Sequence, residues 1–144
     1  MSSLSRDLYR AKFDSIFQQI GKATKSIWKG EKRHPLYIDG LEYETCVFNQ
    51  KAKIKINFGR KSRTIAIFEI GNKWIDNKNC FTKKILFSCD KAESKILKDF
   101  LERLEVDSLD DKINGILEKR KERKRNKIMY DLLTITAIQH NQKA

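Results

Sequence analysis

Several residue types and patterns that mark well-known classes of protein are scarce or missing in this chain of 144 residues. One proline and six glycines are too few for a fibrous or low-complexity protein. Neither the G-x-G-x-x-G pattern nor the P-loop pattern occurs, which excludes the familiar glycine-rich phosphate loops. No apolar run approaches the roughly 20 residues that a membrane-spanning helix needs, and residues 1–7 lack the apolar core of a signal peptide. We therefore expect a cytoplasmic protein, nuclear if the host is eukaryotic, with no membrane partner.

Cysteine and histidine are also scarce, which bears on redox and metal chemistry. Cys46, Cys80 and Cys89 are odd in number and show no C-x-x-C spacing, which favours reduced thiols inside a cell over a disulfide framework. Cys46 lies on a predicted strand, so we expect a buried and inert thiol there. His34 and His140 lie far apart in the chain, and no spacing of His and Cys indicates zinc. We expect no metal and no cofactor, and we favour a protein that is not an enzyme.

Carboxylates leave one enzymatic alternative open. Asp39, Glu42 and Glu44 cluster around a predicted hairpin, and Glu69 lies on a predicted central strand. A metal-dependent nuclease would need such acids to converge on one metal ion. Nuclease sites of this kind usually have a lysine on the same strand, whereas Lys73 follows Glu69 across a Gly-Asn turn. We therefore do not favour a nuclease.

The apolar residues that are present follow the periods of helices and strands. Residues 4–28 are predicted to form one helix, whose apolar stripe includes Leu8 and Ile27. Asp39-Gly40 is predicted to be a two-residue hairpin turn. A second helix is predicted to begin at Asp90. The strands lie between the two helices, at residues 36–38, 41–48, 52–58, 64–70 and 81–87, with residues 74–75 as a continuation.

These elements predict an α+β fold, in which an antiparallel meander of four to five strands is preceded by one helix and followed by two. The last helix is long and basic, and it runs from Asp110 to Gln139 with Ser108 as its N-cap. We expect residues 1–107 to form the globular domain. Residues 108–144 are expected to form a helix that packs on this domain or extends from it.

The centre of the last predicted helix is the most highly charged part of a chain whose net charge is +12. Apolar patches around Leu117 and Ile128 share one helical face, because eleven residues are close to three turns. Between them, like-charged i,i+4 pairs oppose helix formation by about 1 to 2 kcal/mol, and no apolar face is left to bury. Residues 119–127 contain one acid and seven bases, which are Lys119, Arg120, Lys121, Arg123, Lys124, Arg125 and Lys127.

This concentration of charge has three interpretations, which are a surface that binds a polyanion, a solvated helix that bridges two packing sites, and a localisation signal. Further bases are expected on the sheet, where Lys53 and Lys55 share a strand face that Lys83 or Lys84 could join. Lysines that merely keep a sheet face soluble produce the same pattern. A hairpin tip is expected to carry three more bases, Arg60, Lys61 and Arg63.

The favoured function is that of a non-enzymatic protein that binds DNA, RNA or a nucleoprotein complex through phosphates, with weak sequence preference. Tyr37, Tyr43 and Trp74 are the aromatic candidates for stacking on single-stranded bases. One alternative is an inhibitor or adaptor of the kind found among small viral or mobile-element proteins, which docks on an acidic host protein.

Another alternative is a structural protein that self-associates, forming a homodimer through Ile128, Leu132 and Ile135. The acidic segment from Asp99 to Asp111 lies next to the basic run in the sequence. It is equally able to neutralise the basic run of its own chain or of a second copy. The case for nucleic acid depends on that not happening, because a neutralised run attracts no phosphate.

Overall fold

A computed structural model describes residues 5–31, 39–59, 63–71 and 79–142 of the chain. The strands form one sheet in the order β1-β2-β3-β4-β5, and every neighbouring pair is antiparallel. The predicted α+β meander, with one helix before it and two after it, is confirmed. In chain order the elements are α1 (Ser5–Thr24), β1 (Lys29–Gly30), β2 (Gly40–Val47), β3 (Gln50–Phe58), β4 (Arg63–Ile70), β5 (Phe81–Ser88), α2 (Glu93–Glu102), a short 3-10 turn (Val106–Ser108) and α3 (Leu109–Gln142).

The sheet has one face covered by helices and one open face, because apolar and polar residues alternate along its strands. On β3, Ala52, Ile54 and Ile56 are fully buried, whereas Lys53 and Lys55 lie on the opposite, open face. Helices α1 and α2 and the first turns of α3 supply the other half of the core. The protein therefore has two layers, and the open sheet face and the far part of α3 lie outside the core.

Phe13 of α1 occupies the centre of this core. Its ring centroid lies 6.0 Å from that of Phe58 on β3, 6.2 Å from that of Phe87 on β5 and 6.3 Å from that of Phe100 on α2. One aromatic ring thus connects both layers. Removing a buried ring of this kind typically costs about 3 to 5 kcal/mol of folding free energy.

Helix α1 ends earlier than its apolar stripe predicts. Lys25 takes a left-handed conformation with φ of 53°, and the Ser26 amide donates to the Gly21 carbonyl at 3.0 Å. This is the bonding that typically terminates a helix. Ile27 lies beyond the turn and is 77% exposed, and Leu8 near the start of the helix is 68% exposed. The prediction that both residues belong to the apolar core stripe is wrong.

The two-residue hairpin turn lies at Phe48-Asn49 rather than at the predicted Asp39-Gly40. Phe48 and Asn49 both have positive φ, 52° and 61°, as the favoured two-residue hairpin turn requires. Gly40 lies within β2, where an added Cβ would come 2.6 Å from a carbonyl oxygen of β3. Glycine is thus needed there because two strands approach closely, and not because the chain turns.

Two further elements differ from the prediction by more than small shifts of their ends. Helix α2 begins at Glu93 and not at Asp90, because Ala92 is extended, with φ of −57° and ψ of 148°. The edge strand next to β2 is β1, which the apolar pattern did not indicate. The predicted strand at 36–38 and the continuation at 74–75 lie outside the described residues.

Candidate nucleic-acid interface

Helix α3 has an anchored part and a projecting part. Ile113 and Ile116 of its first turns are buried in the core. The guanidinium of Arg120 donates a hydrogen bond to the side-chain oxygen of Gln50, at 2.7 Å, where β3 begins. Every side chain from 121 to 138 is exposed. The helix has 22 residues from position 121 to its end, so about 33 Å of it projects from the domain.

The root of this projecting part coincides with the predicted basic run, residues 119–127. At about 100° per residue, the bases spread round most of the helix circumference, whereas the acids Glu118 and Glu122 share one stripe. Lys121 forms an ion pair with Glu118 at 3.7 Å. Four of the bases make no ion pair with any described part of the chain, namely Lys119, Lys124, Arg125 and Lys127.

The acidic segment from Asp99 to Asp111 forms its ion pairs within the globular part. Asp99 lies 3.4 Å from Lys91 and 3.6 Å from Arg103, between the paired nitrogen and oxygen atoms. Lys91 lies just before α2, and Arg103 lies just after it. This carboxylate therefore stabilises the domain and contributes nothing to neutralising the basic run.

Glu105 is the second acid of that segment with assigned partners. Its carboxylate lies 2.7 Å from the ammonium of Lys83 on β5 and 3.8 Å from that of Lys112 on α3. The hydrogen bond from Lys83, together with the nearby charge of Lys112, lowers the pKa of Glu105. Glu105 thus joins the start of α3 to the sheet, and its ion pairs are with Lys83 and Lys112 rather than with the bases of residues 119–127.

The open sheet face carries alternating charges rather than a positive strip. Lys53 lies between Glu44 and Glu69 of the neighbouring strands, and its ammonium is 3.8 Å from the carboxylate of Glu42. Lys55 is 3.4 Å from Glu69. Opposite charges on adjacent strands stabilise a sheet by about 0.2 to 1 kcal/mol per pair. A phosphate backbone would have to displace these carboxylates before it could reach the two lysines.

The other predicted sheet bases do not form one cluster. Of the two candidates to join Lys53 and Lys55, Lys83 lies on the helix-covered side and binds Glu105, so for Lys83 the prediction is wrong. Lys84 shares the open face with Lys53 and Lys55, as predicted. Lys84 is exposed there, and Arg63 is exposed at the start of β4. Arg60 and Lys61 lie outside the described residues.

Tyr43, one of the predicted base-stacking residues, belongs to the core. It is 2% exposed, its ring stacks on that of Phe17 with the centroids 3.9 Å apart, and its hydroxyl donates to Asp14 at 2.6 Å. Burial and this hydrogen bond raise the pKa of Tyr43. The prediction that it could stack on a nucleic-acid base is wrong. The other two candidates, Tyr37 and Trp74, lie outside the described residues.

An exposed aromatic residue that the sequence did not single out lies close to the root of the projecting helix. Phe48 is 61% exposed and stands two residues before Gln50, the partner of Arg120. A positive φ is rare for so bulky a residue, and such outliers occur in tight turns. A Phe-Asn pair is not a typical turn signal, so the local sequence does not predict this position.

Three of the four carboxylates considered as a metal site are engaged by other groups. Asp39 accepts a hydrogen bond from the Ser5 amide at 3.0 Å, and Glu42 and Glu69 bind lysines. In the ranges that the structure describes, no group of three or more His, Cys, Asp or Glu side chains could hold a metal ion. Cys46 is exposed, so the prediction of a buried thiol is wrong.

The fold and the charged helix together define a two-layer α+β protein with a projecting basic helix. No protein-family model, no curated protein and no solved structure matches this chain. Within the described ranges, no helix combines the length and the apolar character that crossing a membrane requires.

Proposed function

We propose that this chain is a non-enzymatic protein that binds nucleic acid, or a complex that carries nucleic acid, through phosphates. The observation that carries the proposal is that residues 121–127 are exposed on a helix that has already left the core. Because phosphate contacts carry no sequence information directly, the sequence preference is weak. The protein acts inside a cell, where its three free cysteines stay reduced.

The energetics of the free helix favour a polyanionic partner. Glu122 is the one acid among the seven bases of residues 119–127, so most like-charged neighbours on the helix repel one another. Phosphates replace this repulsion with attraction and release the counterions that had condensed on the nucleic acid. Binding therefore stabilises the projecting helix as well as the complex.

The distribution of bases round the helix favours a duplex groove as the site of docking. A major groove about 12 Å wide admits one α-helix, and phosphates then lie on both sides of it. The bases of residues 119–127 cover most of the circumference and can reach both phosphate backbones.

A salt titration of binding to duplex DNA and to RNA tests the proposal. For six phosphate contacts, the affinity is expected to fall on the order of a thousandfold between about 50 and 200 mM salt. The wild type is compared with a variant in which glutamine replaces five exposed basic residues of the projecting part. The variant keeps Arg120, which is hydrogen-bonded to Gln50. Its five substitutions are Lys121→Gln, Arg123→Gln, Lys124→Gln, Arg125→Gln and Lys127→Gln. This variant is expected to lose most of the salt dependence.

A matched control removes the same number of positive charges from the globular part. If the control weakens binding as much as the helix variant does, bulk charge alone accounts for binding and the proposed site is wrong. Unchanged binding by the control, with loss in the helix variant, supports the site. The control replaces exposed bases on α1, β5, α2 and the turn after α1, namely Lys22→Gln, Lys25→Gln, Lys84→Gln, Lys95→Gln and Lys98→Gln.

An acidic protein partner is the second candidate function. The observation that favours it is that exposed apolar residues follow the basic run directly on the same helix, from Ile128 to Ile138. Interfaces between proteins combine an apolar centre with complementary charge at the rim. If the chain retains a stoichiometric protein partner after nuclease treatment and does not bind purified nucleic acid, this proposal replaces the first one.

A further inference from the structure

The far end of α3 exposes more apolar surface than any other described part of the chain. Seven large apolar side chains between residues 128 and 138 are between 51% and 70% exposed. Fully burying one side chain of this size removes roughly 60 to 120 Å² of apolar surface from water. The seven therefore present about 400 Å² on one helical segment, which is within the range of the largest apolar patches on monomeric proteins, and such patches are often functional.

We propose that this segment pairs with the same segment of a second copy, in antiparallel orientation, with Leu132 near the two-fold axis. The seam consists of Ile128, Leu132 and Ile135, whose spacing of four and three residues places them on one helical face. Met129 flanks the seam on one side and Ile138 flanks it on the other. The dimer goes beyond the proposed function and does not depend on it.

The order of residues in the seam suits a second copy as the occupant. Read in either direction the seam is Ile-Leu-Ile, so it matches itself when one helix is reversed. A two-fold symmetric interface needs such a self-complementary patch. The five side chains of the seam and its flanks expose roughly 300 Å² of apolar surface in each copy. Two copies therefore bury about 600 Å², which is below the roughly 1,000 Å² of a stable interface and suits a weak, concentration-dependent pair.

The basic run determines the orientation of the pair. In a parallel pair, residues 119–127 of both copies would lie side by side at the interaxial distance of about 8 to 10 Å, which is about one Debye length at physiological salt. In an antiparallel pair centred on Leu132, the centres of the two runs are about 27 Å apart, and salt screens almost all of their repulsion. Antiparallel pairing therefore buries the apolar segment without bringing the charges together.

The mass of the full-length chain in solution tests the dimer. As the concentration is raised from micromolar to millimolar, light scattering is expected to show a rise from 17.0 kDa to twice that mass. A chain that stays at the monomer mass throughout overturns the proposal. So does a chain that stays monomeric and instead binds vesicles of anionic lipid.

Glutamine substitutions locate the interface. The triple variant Ile128→Gln, Leu132→Gln and Ile135→Gln is expected to weaken dimerisation by roughly a hundredfold or more, because three apolar contacts are lost from each copy. All three positions are exposed in the single chain, so folding is retained. The matched control has Tyr130→Gln, Thr134→Gln and Ala137→Gln, which lie on the opposite side of the same helical turns. It is expected to leave the mass of the dimer in solution unchanged. Equal weakening by both triple variants overturns the assignment of the seam.

The distance between two spin labels determines the orientation. A label attached at Glu122→Cys, in a chain whose native cysteines are replaced by alanine, reports one distance in each dimer. In the antiparallel pair the labelled positions are about 30 Å apart along the axis, and in a parallel pair they are about 10 Å apart. The longer distance is the expected result, and the shorter one overturns the proposal. Nucleic-acid binding is measured separately, so failure of either proposal leaves the other intact.

Discussion

The side chain of Arg120 donates a hydrogen bond to the side chain of Gln50, and this bond marks the point at which α3 leaves the domain. Before it, Ile113 and Ile116 are buried in the core. After it, all side chains from 121 to 138 are exposed. The bond thus separates the part of the helix that packs in the core from the part whose side chains are exposed to solvent.

Removing the partner of Arg120 should loosen the anchored end of α3. For Gln50→Ala we expect faster amide hydrogen exchange at residues 113–120, because a hydrogen bond to a charged group contributes about 1 kcal/mol or more at a partly buried site. The measurement is hydrogen exchange followed by mass spectrometry. Gln18→Ala, at an exposed position of α1, is the control. Equal exchange in the wild type and in Gln50→Ala would show that the bond does not anchor the helix.

Phe48 occupies a turn position whose left-handed backbone conformation costs phenylalanine more free energy than it costs asparagine. Its φ of 52° costs a bulky residue about 1 kcal/mol relative to residues that accept the left-handed region. Its ring is largely exposed, so Phe48→Asn loses little burial. We expect the free energy of unfolding in urea to rise by about 0.5 to 1 kcal/mol. Asn49→Ala, at the next position of the turn, should lower it, and a stabilising effect of that control would contradict the strain argument.

The hydroxyl of Thr45 is buried without a hydrogen-bond partner in the described part of the chain. Thr45→Val replaces this hydroxyl by a methyl group of similar size. We expect a gain of about 1 kcal/mol in the free energy of unfolding, because an unsatisfied buried polar group costs about 1 to 3 kcal/mol. Thermal melting measures the gain. Thr64→Val is the control, since Thr64 is fully buried on the same sheet face but has a partner, and it should not be stabilising.

The buried tyrosine Tyr43 predicts how stability responds to alkaline pH. Burial and the hydrogen bond to Asp14 raise its pKa in the folded protein, whereas in the unfolded chain tyrosine ionises near pH 10. The folded state therefore keeps a proton that the unfolded state loses, and stability falls as pH rises above about 10, by at most about 1.4 kcal/mol per pH unit.

Tyr43→Phe tests this dependence, because it keeps the stacking on Phe17 and removes the ionisable hydroxyl. The variant is expected to be less stable than the wild type at neutral pH and to lose less stability between about pH 9 and pH 11. Urea unfolding at a series of pH values measures both effects. Parallel curves for the two proteins would exclude Tyr43 as the source of the alkaline loss.

Glu122 is the acid inside the basic run, and its removal should separate helix stability from binding. Glu122→Gln leaves the like-charged neighbours without compensation, so the helical circular dichroism of the free chain should fall slightly. If the basic run binds phosphates as proposed, the same change removes a carboxylate that the phosphates repel, and the affinity for duplex should rise by about two- to fivefold at low salt. Glu102→Gln, on the exposed side of α2, has the same charge change and should leave affinity nearly unchanged.

The strands and the long helix could be predicted from the sequence because their signals are local. On β3 the alternation of Ile54 and Ile56 with Lys53 and Lys55 requires no knowledge of the neighbouring strands. The exposure of residues 121–127 follows in the same way, because a stretch of helix with no apolar face has nothing to bury. Both features depend only on residues that lie close to one another in the sequence.

Only the tertiary structure decided which charged and aromatic groups are available for binding. Lys53 and Lys55 pair with Glu42 and Glu69, and Tyr43 is covered by α1, although each looks like a surface binding residue in the sequence. These partners lie on different elements, so no local period encodes them. Strand register and helix packing bring them together, and the same packing ends at Arg120, which is why the bases beyond it remain exposed.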